Sequence, residues 1–187
     1  MRLYLVRHPV TLAYTDVCYG SADVPVSEDE REACLAKLLA NTGLPVGLPL
    51  YSSPLSRCAD FARRLAESWG VAPPQLDARL REMDFGQWEQ REWARIPRSE
   101  VDAWVADLIG YRPGRGENVL EMAHRVLSFR DEIAAQGRDA CVVCHAGTIR
   151  LLLAAQGRAS VEEAALAAAR STLRIGHGEL FVLPLSR

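Results

Sequence analysis

Residues 3–8 read Leu-Tyr-Leu-Val-Arg-His: four apolar or aromatic side chains, then two that can carry charge. A short, uninterrupted apolar run predicts a strand that is buried on both faces of its sheet. Residues 140–145 read Ala-Cys-Val-Val-Cys-His and predict a second such strand, which also ends in a histidine. Strands of this kind occur in parallel sheets that helices cover on both faces, so the two stretches favour an α/β fold.

Helices and strands are predicted to alternate along the rest of the chain. Ser27 followed by Glu30 is typical of a helix-capping box, and Ser53-Pro54 places a proline where the first turn of a helix tolerates it. We predict helices beginning near residues 27, 53, 117 and 147, a loop over 8–26, and strands at 3–6, 48–52, 76–80, 140–144, 171–175 and 180–185. Gly176-His177-Gly178 is a hairpin-like signal between the last two strands. This order predicts a three-layer α/β/α sandwich with a mainly parallel sheet and an antiparallel C-terminal edge.

Length and composition limit the kind of protein and its partners. We expect residues 1–187 to form one domain with a small helical insertion around 88–112. The net charge of −2 leaves no electrostatic footprint for nucleic acid or an anionic membrane. The apolar run before Arg7 is too short for a signal peptide, and five cysteines, an odd number, fit free thiols in a reducing compartment. We therefore expect a cytoplasmic protein that acts on a small molecule, with self-association into a homodimer left open.

Polar side chains follow three of the predicted strands. Arg7 and His8 follow the first, Arg57 lies in the first turn of the helix after the second, and His145 follows the fourth. Because ligands collect beyond the carboxyl ends of the strands in such a sheet, we expect these side chains to converge. Arg7 and His8 alone already favour a functional role over an exposed strand end, whereas a lone Arg57 would usually be solvated and a lone His145 is as well explained as a structural residue. Their convergence is what predicts a site.

This combination of residues suits an anionic substrate that reacts at phosphorus. Guanidinium groups such as those of Arg7 and Arg57 hold a phosphate through paired hydrogen bonds and keep their charge near neutral pH. A helix N-terminus adds free N–H groups beside Arg57. A neutral imidazole, here that of His8, is a competent nucleophile toward phosphorus. Glu82, just after predicted strand 76–80, is a candidate proton donor for the leaving group.

Four stretches of the sequence resemble the histidine phosphatase (phosphoglycerate mutase-like) superfamily. In the order and spacing of that family they are LVRHPVT at 5–11, YSSPLSRCADFA at 51–62, LREMDFGQWE at 80–89 and VCHAGTIR at 143–150. The resemblance implies a hydrolase of phosphomonoesters that uses neither a metal nor another cofactor and forms a phosphohistidine on His8. It also implies that Glu82 is the general acid, and afterwards the base that activates water.

The resemblance further assigns the residues around the phosphate. It implies that Arg7, Arg57 and a protonated His145 hold the phosphoryl oxygens. The other substrate contacts that we expect come from Thr11, Tyr19, Gly20 and Ala146. The sequence departs from the family at Pro9, which replaces the glycine of the usual Arg-His-Gly. Proline has no backbone N–H and a fixed φ, so any contact that the family makes through that N–H is lost.

Within the superfamily, residues 7–9, 17–25, 80–88 and 113–117 resemble the α-ribazole-5′-phosphate phosphatases of cobalamin biosynthesis. Aromatic walls would suit a substrate with a planar base. The side chains available for such walls, which fit the core of the insertion equally well, are Tyr19, Trp88, Trp93, Trp104 and Tyr111. A broad-specificity sugar-phosphate phosphatase and a phosphoglycerate mutase are the alternatives within the superfamily.

Two interpretations from other classes compete with the enzyme. One is a non-catalytic phosphate-binding module on the same fold, which the presence of all five expected catalytic groups disfavours. The other is a cytochrome, because Cys141-Val-Val-Cys144-His145 matches the haem attachment motif. Residues three apart on a strand face opposite sides of the sheet, so this match is not expected to hold a haem. His124 and His177 are expected to be solvated and without a role.

Overall fold

The computed structural model describes residues 1–13, 16–41 and 43–185, so residues 14 and 15 of the predicted 8–26 loop lie outside it. The strands are β1 (Arg2–Arg7), β2 (Val17–Cys18), β3 (Leu50–Ser52), β4 (Gln75–Leu76), β5 (Arg91–Glu92), β6 (Ala140–Cys144) and β7 (Leu180–Pro184). The α-helices are α1 (Glu28–Leu39), α2 (Ser56–Trp69), α3 (Arg98–Ala106), α4 (Val119–Ala135), α5 (Ala146–Ala154) and α6 (Val161–Ala169).

Five of the strands form one sheet in the order β4-β3-β6-β1-β7. β6 pairs in parallel with both β1 and β3, and β3 pairs in parallel with β4. β7 pairs antiparallel with β1. The remaining two, β2 and β5, form a separate antiparallel pair outside this sheet. The predicted mainly parallel sheet with an antiparallel C-terminal edge is therefore confirmed.

Side chains alternate between two apolar layers on opposite faces of the sheet. Leu3 and Leu5 of β1 pack with residues of α4, α5 and α6, while Tyr4 and Val6 pack with residues of α1 and α2. β6 divides in the same way: Cys144 lies in the first layer and Cys141 in the second. The two cysteines of the haem-like motif thus lie on opposite faces of a fully buried strand, which is incompatible with a shared haem.

The predicted strand 76–80 is wrong beyond Leu76. The side chain of Asp77 accepts a hydrogen bond from the backbone N–H of Arg79, and residues Ala78–Leu80 form a turn of 3-10 helix. Local capping by aspartate competes with the strand ladder in this way. Glu82 consequently follows a helical turn instead of a strand.

The predicted strand 171–175 is also wrong, and with it the hairpin. Its carbonyl groups are occupied by arginine side chains: Arg150 donates to Leu173, and Arg7 donates to Ile175. Without a ladder partner the segment is irregular, and a turn at 177–178 leads directly into β7.

Helix α6 was not predicted from the sequence. Ser160 caps its first turn by accepting a hydrogen bond from the backbone N–H of Glu163. Its buried side chains, Ala164, Ala165 and Ala168, are small enough for a close approach to α4 and α5. An alanine stripe lacks the large apolar residues that make helical periodicity visible, although the Ser160–Glu163 cap was a usable signal.

The insertion at 88–112 is helical only in part. It contains α3, which begins directly after Pro97, together with the short strand β5. β5 pairs with β2, so the segment predicted as a loop over 8–26 also carries a strand. None of the helices in the described ranges is long and apolar enough to cross a membrane.

Candidate active site

A cavity of about 220 Å³ lies beyond the carboxyl ends of β1, β3 and β6. Its lining residues are Arg7, His8, Val17, Cys18, Tyr19, Gly20, Arg57, Glu82, Phe85, Trp93 and His145. Seven of the nine predicted site residues are therefore brought together here. Thr11, which is half-exposed, and Ala146, the first residue of α5, are not among the residues that line it.

His8 is the first residue after β1 and is almost completely buried. Its backbone N–H donates to the Cys144 carbonyl oxygen at 3.1 Å, so the residue is fixed level with the end of β6. Its ring Nδ1 lies 2.7 Å from the Pro9 carbonyl oxygen. Because a carbonyl only accepts, Nδ1 carries the proton and Nε2 keeps a free electron pair. Proline at position 9 thus retains the group that orients His8.

The charge state of His8 follows from its surroundings. Burial, with further contributions from Arg57 and Arg7, holds the pKa of His8 well below its usual value of 6.5. Both effects disfavour the imidazolium, since a buried charge loses its hydration and the guanidinium groups repel it. The ring is therefore neutral at neutral pH.

Arg57 lies in the first turn of α2 and is buried. Its two terminal nitrogens donate to the carbonyl oxygens of Ala22 and Gly20, each at 2.6 Å, and the guanidinium lies 5.2 Å from the centre of the Tyr19 ring. Each terminal nitrogen still has a second N–H. Arg57 therefore anchors the loop over the cavity and retains donors for an anion.

Arg7 supplies a second guanidinium group from the end of β1. One terminal nitrogen donates to the Ile175 carbonyl oxygen at 2.5 Å. Its Nε is buried and has no hydrogen-bond partner within the described part of the chain. A buried N–H without a partner is uncommon in folded proteins, and an anionic oxygen would satisfy it.

His145 is the N-cap residue of α5 and is fully buried. Its Nδ1 accepts from Nε of Arg57 at 3.3 Å, so Nε2 carries the proton and donates to Oγ of Ser53 at 2.8 Å. Burial, His8 and Arg57 hold its pKa well below 6.5. This disagrees with the expected protonated His145. Ser53, which sequence reasoning did not select, fixes the ring.

Glu82 approaches the cavity from the loop after the 3-10 turn. Its carboxylate accepts from the backbone N–H of Gly147 at 3.0 Å and from that of Met83 at 3.1 Å. A Cβ at position 147 would displace the Glu82 carboxylate, so the glycine allows the carboxylate to stay in this place. The backbone of the loop is held from below by Arg125 of α4, which donates to the carbonyl oxygens of Arg79, Arg81 and Glu82.

His177 was expected to be solvated, and this expectation is wrong. The residue is half-buried, its ring lies 5.2 Å from that of His8, and its Nδ1 is 3.1 Å from the His8 carbonyl oxygen. No local motif marks the residue, because the contact joins positions 169 residues apart. His124 is exposed, as expected.

Known proteins share this sequence pattern and fold. The sequence model of the histidine phosphatase superfamily (branch 1) matches residues 3–181. An adenosylcobalamin/alpha-ribazole phosphatase of Escherichia coli (strain K12) is 32% identical over 160 residues, covering 82% of this chain and 78% of the relative. A glucosyl-3-phosphoglycerate phosphatase of Mycolicibacterium vanbaalenii is 29% identical over 168 residues, covering 82% and 73%.

Solved structures agree with the sequence comparisons. The crystal structure of the alpha-ribazole phosphatase from Shigella flexneri superposes with a TM-score of 0.81 at 25% identity, covering 100% of this chain and 92% of the other. The chain belongs to the histidine phosphatase superfamily. It is a phosphatase, an enzyme that hydrolyses phosphate esters.

The first prediction concerns Arg125. Its guanidinium forms an ion pair with Glu117 at 2.6 Å and makes three hydrogen bonds to the backbone that carries Glu82. Replacing it by methionine (Arg125→Met) should lower the free energy of unfolding by about 2–3 kcal/mol, because partly buried acceptors lose their donors. Urea denaturation measures this change. Arg98→Met removes one exposed ion pair and should change the free energy of unfolding by less than about 0.5 kcal/mol. Equal losses in the two variants would contradict the role of Arg125 in holding the loop that carries Glu82.

The second prediction concerns pH. The pKa values of His8 and His145 lie well below 6.5 in the folded protein, so below pH 6.5 the unfolded chain binds protons that the folded protein refuses. As the pH is lowered below 6.5, the free energy of unfolding should therefore decrease, by about 1.4 kcal/mol per pH unit for each histidine, until the lowered pKa is reached. His8→Asn should remove one such contribution between pH 6.5 and 5.5. An unchanged slope in His8→Asn would show that His8 is not held neutral.

Proposed function

We propose that the protein hydrolyses phosphomonoesters through a phosphohistidine on His8. The observation that carries this proposal is the state of the His8 ring. Its Nδ1 proton is engaged by the Pro9 carbonyl oxygen, its charge is suppressed, its Nε2 keeps a free electron pair, and the residue lines a cavity shared with Arg7 and Arg57. A neutral, oriented imidazole beside two guanidinium groups suits attack on a phosphoryl group.

In the first step, Nε2 of His8 forms a bond to phosphorus while the bond from phosphorus to the ester oxygen breaks. Glu82 delivers a proton to that oxygen, and the alcohol leaves. In the second step, the Glu82 carboxylate takes a proton from water, whose oxygen bonds to phosphorus as the N–P bond breaks. Inorganic phosphate leaves, and both residues return to their starting states. Arg7 and Arg57 stabilise the charge on the phosphoryl oxygens throughout.

His145 takes part in this scheme only with substrate bound. A phosphoryl dianion in the cavity favours the imidazolium form and so opposes the burial and the neighbouring cations that keep the ring neutral. A proton on Nδ1 would then displace the Arg57 donor and make that nitrogen available to a phosphoryl oxygen. We propose that His145 becomes protonated as the phosphate binds.

The proposed substrate is α-ribazole 5′-phosphate, the ester of a ribosylated planar base. The Escherichia coli relative named for this activity supports the choice. A cleft of about 250 Å³ also supports it, because the cleft shares Glu82 and Phe85 with the catalytic cavity. Its other walls are mostly apolar and include Met83, Trp104, Leu108, Val119 and Met122. The leaving group must lie beside Glu82, so its base can enter this cleft.

The aromatic residues divide between the site and the insertion. Trp93 and Tyr19 border the catalytic cavity, and Trp104 borders the cleft. Trp88 is buried, donates from its ring to Glu100, and packs against Tyr111, so both belong to the core of the insertion. The alternative is a sugar-phosphate substrate, which the relative named as a glucosyl-3-phosphoglycerate phosphatase supports.

The third prediction tests the chemical roles. His8→Ala should abolish turnover of every ester, because no other group replaces the nucleophile. Glu82→Gln should slow the first step, transfer of the phosphoryl group to His8, by about 10²- to 10⁴-fold for alkyl esters but much less for p-nitrophenyl phosphate, since that leaving group departs without a proton. Because the second step also needs Glu82, a burst of p-nitrophenol should precede slow turnover of this ester. Rapid-mixing and steady-state kinetics with a chelator present measure both steps, with His124→Ala as the control. Normal activity in His8→Ala would end the phosphohistidine proposal.

The fourth prediction tests the substrate. Among α-ribazole 5′-phosphate, 3-phosphoglycerate, sugar phosphates and p-nitrophenyl phosphate, the first should have the highest kcat/KM. Trp104→Leu keeps an apolar side chain but removes the ring, and should lower kcat/KM for the ribazole ester by about tenfold. The value for 3-phosphoglycerate should be unchanged. Similar kcat/KM values across the panel would retain the phosphatase and reject the ribazole substrate.

A further inference from the structure

The antiparallel ladder between β1 and β7 continues past the last paired strand residues. The backbone N–H of Arg7 donates to the Glu179 carbonyl oxygen at 3.3 Å, and that of Gly178 donates to the Arg7 carbonyl oxygen at 3.0 Å. Just beyond this point, Nδ1 of the His177 side chain lies 3.1 Å from the His8 carbonyl oxygen.

The protonation pattern of His177 is set by this contact. A carbonyl oxygen only accepts, so Nδ1 of His177 carries the proton and donates it. The same short segment also holds Arg7, because the Ile175 carbonyl oxygen accepts from its guanidinium at 2.5 Å. Residues 175–179 therefore contact both charged or titratable groups at the end of β1.

The position of the His8 carbonyl group affects the His8 ring through the peptide bond to Pro9. The His8 carbonyl and the Pro9 nitrogen and Cα share one rigid peptide plane. Pro9 has a fixed φ, so turning that plane moves the Pro9 carbonyl oxygen, which holds Nδ1 of His8 at 2.7 Å. A donor on the His8 carbonyl oxygen thus limits the movement of the acceptor that orients the nucleophile.

Ring packing restricts His8 from both sides. Its ring lies 5.2 Å from that of His177 and 5.2 Å from that of His145, with interplanar angles near 60° in both cases. His145 is itself fixed by Ser53 and Arg57. His177 is the partner on the C-terminal side.

We propose that His177 is a positioning residue: the hydrogen bond from its Nδ1 to the His8 carbonyl oxygen holds the His8–Pro9 peptide so that Nε2 of His8 is aimed at phosphorus. This inference rests on the proposed function of His8 as the nucleophile. His177 is not one of the residues that line the catalytic cavity, so it acts through His8 instead of touching the substrate.

Three substitutions separate the hydrogen bond from the packing. His177→Ala removes both, His177→Phe keeps a ring without a donor, and His177→Asn keeps an N–H donor near the position of Nδ1. With p-nitrophenyl phosphate, kcat should fall about 10- to 100-fold in the Ala and Phe variants, since a small misplacement of a reacting group has effects of this size. KM should change little, because Arg7 and Arg57 are retained. His177→Asn should recover most of the lost kcat.

Thermal unfolding is measured for the Phe and Asn variants, to show that both are folded. The comparison of these two variants tests the hydrogen bond even if His177→Ala does not fold. Wild-type kcat in His177→Phe, or an equal loss in His177→Asn and His177→Phe, would overturn the role of the hydrogen bond. His8→Ala distinguishes the two levels of failure. If it is inactive while all three His177 variants are fully active, only this inference fails; if it is active, the proposed function fails with it.

Discussion

The hydrogen bond from the backbone N–H of His8 to the Cys144 carbonyl oxygen fixes where the site can form. It aligns the ends of β1 and β6, and the matching bond from Ser53 to the Val143 carbonyl oxygen aligns β3 with them. The polar residues that follow these three strands therefore lie at the same edge of the sheet. In a parallel sheet this edge is where ligands bind, because the strand ends and the following helix N-termini point the same way.

The alignment concentrates positive charge among buried groups. Arg57 is buried, and Arg7 has a buried nitrogen without a partner within the described residues. The two neighbouring histidines respond by staying neutral, as their lowered pKa values indicate. Burial, together with the guanidinium groups of Arg57 and Arg7, keeps the His8 imidazole unprotonated. Under the proposed function, the same two guanidinium groups hold the phosphate that His8 attacks.

The accuracy of the sequence-based expectations depended on how local the determining interactions were. The buried strand at 140–144 and the helix N-terminus near Arg57 were predicted, because apolar runs and capping patterns act over a few residues. The segment 171–175 looked like a strand but has arginine side chains on its carbonyl groups instead of a ladder partner. His177 was missed for the same reason: its contact with His8 exists only after the sheet brings the two ends of the chain together.

The account depends most on the identity of the group that bonds to phosphorus. The direct measurement is to mix the Glu82→Gln variant with p-nitrophenyl phosphate, quench in alkali, and locate the phosphoryl group by mass spectrometry of the digested protein. That variant still loses the activated leaving group but lacks the base that activates water, so the intermediate should accumulate. The account predicts an acid-labile phosphoryl group on His8. Turnover that leaves the phosphoryl group on another side chain, or on none, would contradict it.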